Sequence, residues 1–297
     1  MQQLTVAISP CPNDTWIFGA WILGLVRHEP PDAGFSFIDV ETANRAALRE
    51  AFDVVKVSSA TALELGRAYR ILPCGGAFGL AAGPKLVTKA GRDRPIEKIA
   101  VPGVRTTAFA VLRAALAEPA AQDGPLLPKG GHADRADGGP EILPVRYDGV
   151  VEAVQSGRAD AGLLIHETAL VFENYGLQKI LDLGAWWDAR TNGSPFPLGA
   201  IIAKKSLGRE LFDEIAERIR ASIRAARENP QAVMPFILSM AREQDPETIG
   251  RHIEAYVNDM SYEMGAAGAK ALTELDILLR NDREWRDWRL PAFDESW

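Results

Sequence analysis

Short strand-like runs alternate with helical stretches through the first half of the chain, and this alternation limits the fold more than any other feature. LTVAI (4–8), FSFIDV (35–40) and DVVKV (53–57) are brief apolar runs rich in β-formers. Between them, residues 15–27 and 42–51 read as helices. SSATALELGRA follows the third strand, with a T-x-x-E capping-box pattern at Thr61 and Glu64. YRILPCGGAFG and PKLVTK (84–89) suggest further strands. A β-α-β-α rhythm predicts an α/β fold with a mainly parallel sheet.

A second α/β unit starts at IAVPG (99–103), with TTAFAVLRAALA as its helix. Residues 118–141, rich in Gly, Pro, Ala and Asp, read as a flexible surface loop. ILPVRY (142–147), a helix over 148–157 and AGLLI (161–165) continue the unit. LGAIIAKK (198–205) is a last strand. Helices over 206–228, 230–243, 246–258 and 262–280 follow, punctuated by Asn229-Pro230 and Asp245-Pro246. This order predicts two lobes, with the chain crossing near 88–98 and again near 196–203. Residues 1–94 and 201–297 then form one lobe and 95–200 the other, with the ligand site in the cleft between them.

Ligands of open α/β sheets bind beyond the carboxyl ends of the strands. Four such ends carry polar side chains: Ser9 to Thr15 (SPCPNDT), Ser58-Ser59-Ala60-Thr61, Gly103 to Thr107 (GVRTT) and His166-Glu167-Thr168. Three are hydroxyl-rich helix starts, which offer free N–H groups to a carboxylate or phosphate. The same residues are ordinary N-caps, so each junction also has a purely structural reading, with Asn13, Asp14 or Thr15 capping the first helix. His166, at the end of an apolar strand, is the candidate general base, with a satisfied buried histidine as the alternative. His28, His132 and His252 read as surface residues.

Several function classes are excluded. The net charge of −7 and the absence of a basic stripe argue against nucleic acid. The apolar run from Trp16 to Val26 is too short to span a bilayer. No signal peptide is evident, which points to the cytoplasm. Cys11 and Cys74 have neither metal-ligand spacing nor the density of a disulfide framework. Cys11 could be a nucleophile paired with His166, or a small buried thiol. GxGxxG, GxxxxGK[ST] and GxSxG are absent. No cofactor and no metal are expected. Trp186-Trp187 and Pro195-Phe196-Pro197 could line an aromatic pocket or wedge into the core. The partner is a small molecule, and the assembly is a monomer or homodimer.

SPCPNDT with the aromatic-rich helix after it, DVVKVSSA, VPGVRTTA, DAGLLIHE and LGAWWDARTNGSPFPLGAI, in this order, resemble the 1,4-dihydroxy-6-naphthoate synthase family of the futalosine route to menaquinone. The resemblance runs from about residue 4 to 205 and less distinctly through the helical tail. It implies a type II periplasmic-binding-protein-like fold with a cleft between two lobes. It implies a lyase that converts cyclic dehypoxanthine futalosine to 1,4-dihydroxy-6-naphthoate, with His166 as proton acceptor. Substrate-binding segments would be Lys56-Val57-Ser58 and Thr106-Thr107, with Ser9, Asn13 and Asp14 lining the cleft. Ser59-Ala60 departs from the bulkier residues that the family often carries there. Chorismate dehydratase of the same pathway and a non-catalytic small-anion-binding protein are the rival readings.

Overall fold

The computed structural model describes residues 3–26, 33–80, 82–118, 126, 139–242 and 245–282. His28, His132 and most of the 118–141 loop lie outside them. LTVAI forms β1 (Leu4–Ile8), whose Val6, Ala7 and Ile8 are buried on both faces, as an interior strand requires. There follow α1 (Pro12–Ile22), β2 (Ala33–Phe37), α2 (Val40–Leu48), β3 (Val54–Ser58), α3 (Ser59–Glu64), β4 (Tyr69–Ile71) and β5 (Ala77–Gly79). The second unit comprises β6 (Lys85–Lys89), β7 (Lys98–Val101), α4 (Thr107–Ala117), β8 (Glu141–Pro144), α5 (Val150–Gln155), β9 (Ala161–Leu164), β10 (Leu177–Asp182) and α6 (Leu183–Thr191). β11 (Phe196–Lys204) leads into α7 (Gly208–Glu228), α8 (Pro230–Met240), α9 (Pro246–Tyr256), α10 (Asp259–Tyr262) and α11 (Gly265–Asn281).

The strands form two sheets. One runs β2-β1-β3-β11-β4, with β5 also on β11; the other runs β10-β6-β9-β7-β8. Pairing is parallel in β2-β1-β3 and in β8-β7-β9. The sheets are mixed rather than mainly parallel, because β11, β6 and β10 all pair antiparallel to their neighbours. These are the strands that flank the passages between sheets; β6 and β11 run opposite to the parallel strands of their sheets, and β10, antiparallel to β6, runs with β9. β5 lies in the first sheet and β6 already in the second, while β10 lies in the second and β11 already in the first, so each crossing falls ahead of the 88–98 and 196–203 segments. Backbone pairing sets this: Lys85 to Thr88 of β6 lie beside Leu164 to Ala161 of β9, and β11 lies wholly in the first sheet.

The two connecting segments touch backbone to backbone. A Cβ on Gly83 would lie 2.7 Å from the Gly184 Cα, and one on Gly184 would lie 2.9 Å from the Gly83 nitrogen. Only glycine fits on either side. Gly184→Ala is expected to cost about 1–3 kcal/mol by overpacking, read as a lowered midpoint in urea denaturation; an unchanged midpoint would show that the segments move apart freely.

The long helix α7 packs Phe212, Ile215, Ile219 and Ile223 against α1 and the first sheet. Its arginines mostly face outward, but Arg218 is buried with its guanidinium 5.7 Å from the Trp21 ring. Trp187 is buried, donates its indole N–H to the carbonyls of Ser194 and Pro195, and packs on Phe196. The Trp186-Trp187 and Phe196 cluster is therefore core packing, not a pocket wall. Among the described residues, no helix is long and apolar enough to cross a membrane.

Candidate active site

The cleft between the sheets holds a cavity of about 680 Å³, counting its open mouth. Its wall includes Ser9, Asn13 and Asp14 from the start of α1, Lys56, Val57 and Ser58 from β3, Thr106 and Thr107 at the start of α4, and His166. All nine candidate residues thus meet around one space, though they play different local parts.

Asp14 organises the floor. Its Oδ2 accepts the backbone N–H and the hydroxyl of Ser9, at 3.1 and 2.8 Å. Its Oδ1 accepts Lys56 Nζ at 2.8 Å and Asn13 Nδ2 at 2.9 Å. Lys56 also donates to the Gly75 carbonyl at 2.9 Å. Both charges are buried, so the pair is held by this full set of partners. The expected cap is different: Cys11 takes the N-cap position with no side-chain bond, because Asp14 and Asn13 are committed to Ser9, Lys56 and His252.

The α4 start is built across the lobes. Arg105 donates its N–H to Glu41 Oε2, and its carbonyl accepts from Asn44 Nδ2 and Thr61 Oγ1. Its guanidinium pairs with Glu64 at 3.0 Å. Thr61 and Glu64 therefore form no capping box; α3 starts at Ser59, with Ser58 as N-cap. Thr106 Oγ1 accepts from Phe109 N and donates to the Gly103 carbonyl. Thr107 Oγ1 accepts from Ala60 N and donates to the Leu198 carbonyl. Both hydroxyls are spent within the protein. What this end of α4 offers an anion is its first-turn N–H groups and the positive end of the helix dipole. Ser58 Oγ accepts from Asn44 Nδ2, so its O–H is directed to another acceptor.

His166 sits in the left-handed region at φ 57°, uncommon for a residue with a Cβ. That turn follows β9 and swings the ring into the cavity wall beside Tyr147, at 5.2 Å between ring centres. Its Nε2 is buried and has no hydrogen-bond partner. Burial holds its pKa below 6.5, opposed by the negative charges of Glu167 and Asp14. The ring is therefore neutral near pH 7 and able to accept a proton.

Two polar side chains of the wall are not among the candidates. His252 and Tyr256 of α9 both line the cavity. His252 is 1% exposed, which corrects its surface reading. Its Nε2 lies 3.1 Å from Asn13 Oδ1, and its ring centre is 6.2 Å from that of His166. The clue was its spacing: Ile249, His252, Ile253 and Tyr256 share the buried face of α9 at helical intervals. Burial, followed by the nearby His166, drives the His252 pKa well below 6.5.

The His166 ring binds protons more weakly in the folded chain than in the unfolded one. Folding stability should therefore decline as pH falls below about 6.5, by up to about 1.4 kcal/mol per pH unit for that ring. Glu41, raised by burial, acts in the opposite direction. Comparing urea denaturation of wild type and His166→Asn between pH 7.5 and 5.5 isolates the ring. Parallel curves would refute its contribution.

Cys11 is buried, and desolvation followed by the charge of Glu167 pushes its pKa up. It stands as a thiol, contrary to a nucleophile's requirement. Cys74 is raised to about 12 by burial and donates to the Ala216 carbonyl. Among the described residues, no group of three His, Cys, Asp or Glu side chains could hold a metal ion.

The family model for menaquinone biosynthesis matches residues 4–125 and 132–280. A curated 1,4-dihydroxy-6-naphthoate synthase of Streptomyces coelicolor is 38% identical over 92% of this chain and 91% of its own. The chain belongs to the 1,4-dihydroxy-6-naphthoate synthase family. A second relative of that name, from Thermus thermophilus, is 36% identical over 93% of each chain. A Candida albicans protein described as having the generic periplasmic-binding-protein fold superposes with a TM-score of 0.67 at 11% identity, over 94% of each chain. That likeness shows the fold: two lobes about a cleft. Membership in the synthase family places the chain in menaquinone biosynthesis.

Proposed function

We propose that the cleft converts cyclic dehypoxanthine futalosine to 1,4-dihydroxy-6-naphthoate, releasing a three-carbon fragment of the former ribose. The observation that carries this reading is the His166 Nε2: buried, unpartnered, neutral and set in the wall of the one cavity that collects all the candidate residues, in a chain of this family. His166 takes a proton from a substrate hydroxyl to start a retro-aldol-like carbon–carbon cleavage, which makes the protein a lyase. The substrate carboxylate is met by the N–H groups that open α4, and sugar oxygens by Ser58 and the remaining donor of Lys56. Closing the lobes removes water from the reacting centre. Two unpaired, buried thiols fit a cytoplasmic enzyme.

Incubating the purified protein with cyclic dehypoxanthine futalosine should release the dihydroxynaphthoate, detected by chromatography and mass. Tight binding of that compound without product would replace the lyase by a binding protein. Dehydration of chorismate instead would assign the neighbouring step of the pathway.

A further inference from the structure

A cleavage that begins by taking a proton must end by giving one back. When the hydroxyl proton passes to His166, the oxygen's electrons form a carbonyl, the carbon–carbon bond breaks, and its electron pair goes to the departing carbon. That carbon needs a proton. Few groups in the cleft are placed to supply it. Cys11, Tyr147 and Tyr256 face Glu167, and burial together with its charge raises all three above their ordinary values. Asp14 and Lys56, which act on His166 along with Asp39, are locked in their own ion pair. His252 and Glu167 remain.

Their geometry is informative. Asp14 Oδ1 only accepts, so the amide nitrogen of Asn13 must face it, and Asn13 Oδ1 must face His252. An amide oxygen also only accepts, so His252 Nε2 carries hydrogen. In a neutral ring this leaves the Nδ1 lone pair pointing outward. That Nδ1 lies 3.8 Å from Glu167 Oε2, and both atoms are buried with no hydrogen-bond partner. A lone pair facing a carboxylate oxygen in a dry site is repulsive, and one proton between them turns the contact attractive. His252 stands on α9, which packs on α1, whereas Glu167 follows β9 in the other lobe. The contact therefore spans the cleft and would shorten as the lobes close.

We propose that Glu167 and His252 hold one proton between them and return it to the departing carbon, as the acid that answers the His166 base. After release, the proton on His166 passes back to the pair through solvent, so no proton is gained or lost over the cycle. This inference rests on the lyase reading for its chemistry, and its test has an arm that does not.

The first arm is nitrogen-15 NMR of the histidine rings in the ligand-free protein at pH 7. His252 should show hydrogen on Nε2 and a proton-bearing or hydrogen-bonded Nδ1, which becomes a free lone pair in Glu167→Ala. An Nδ1 that is a free lone pair in wild type and unchanged in the variant overturns the pair. The second arm is single-turnover rate against pH. Glu167→Gln, which matches the shape of the side chain, and His252→Gln should each slow product formation about 100-fold. Each should also lose the alkaline falling limb, while substrate affinity stays within a few-fold. Variants that keep the rate and both limbs overturn the proposal. If wild type gives no product at all, the lyase reading falls and the ring spectra alone judge the pair.

Discussion

His166→Ala should fold like wild type and lose at least about 100-fold in turnover, the usual worth of a positioned base. The loss should appear in kcat, with little change in KM, because the ring's Nε2 makes no hydrogen bond within the protein and supplies chemistry more than binding. The backbone at φ 57° complicates the alanine variant slightly. An alanine there carries a cost of about 1–2 kcal/mol, as any residue with a Cβ does. His166→Asn controls for this, since asparagine tolerates the left-handed region and has no titratable nitrogen. Both variants should give native circular dichroism and bind substrate. Near-wild-type turnover in His166→Asn would remove His166 from the base role.

The second large effect concerns stability. Asp14→Ala strips Lys56 of its carboxylate while leaving the ammonium buried, with only the Gly75 carbonyl beside it. Removing one partner of such a pair costs about 3–5 kcal/mol. Ser9 and Asn13 lose their shared acceptor as well, so the first turn of α1 should loosen with it. Urea denaturation should show the midpoint falling accordingly. The double variant Asp14→Ala with Lys56→Met should recover much of that loss, since no unpaired charge stays behind. A single-variant cost below about 1 kcal/mol would mean that water reaches Lys56 freely and the pair is peripheral.

Local pattern made the elements and the strand ends legible. β1, β3 and β9 announced themselves as apolar runs, and the polar residues after them converge on one cavity because parallel strands of each sheet share a carboxyl edge and the two edges face each other across the cleft. Contacts between distant segments were less legible. Thr61 and Glu64 fit a capping box by spacing alone, yet Arg105 of the other lobe takes both. The hydroxyls of Thr106 and Thr107 looked available to a ligand, but partners at Gly103 and Leu198 occupy them. His252 was read singly, although its register with Ile249 and Tyr256 placed it on a buried face. Antiparallel entry of β6 and β11 follows from how two lobes share one chain, which no single strand pattern records.

That sharing has a consequence during synthesis. β4 and β5 join the first sheet only through β11, at residues 196–204. Until that strand leaves the ribosome, β3 has an open edge and the two short strands lack a partner. At the ordinary rate of about 5–20 residues per second, the gap lasts several seconds or more. α9 emerges later still, and with it the last wall of the cleft. A nascent chain therefore carries an unfinished sheet edge for much of its translation, the kind of surface that chaperones cover, and gains its site only near the end.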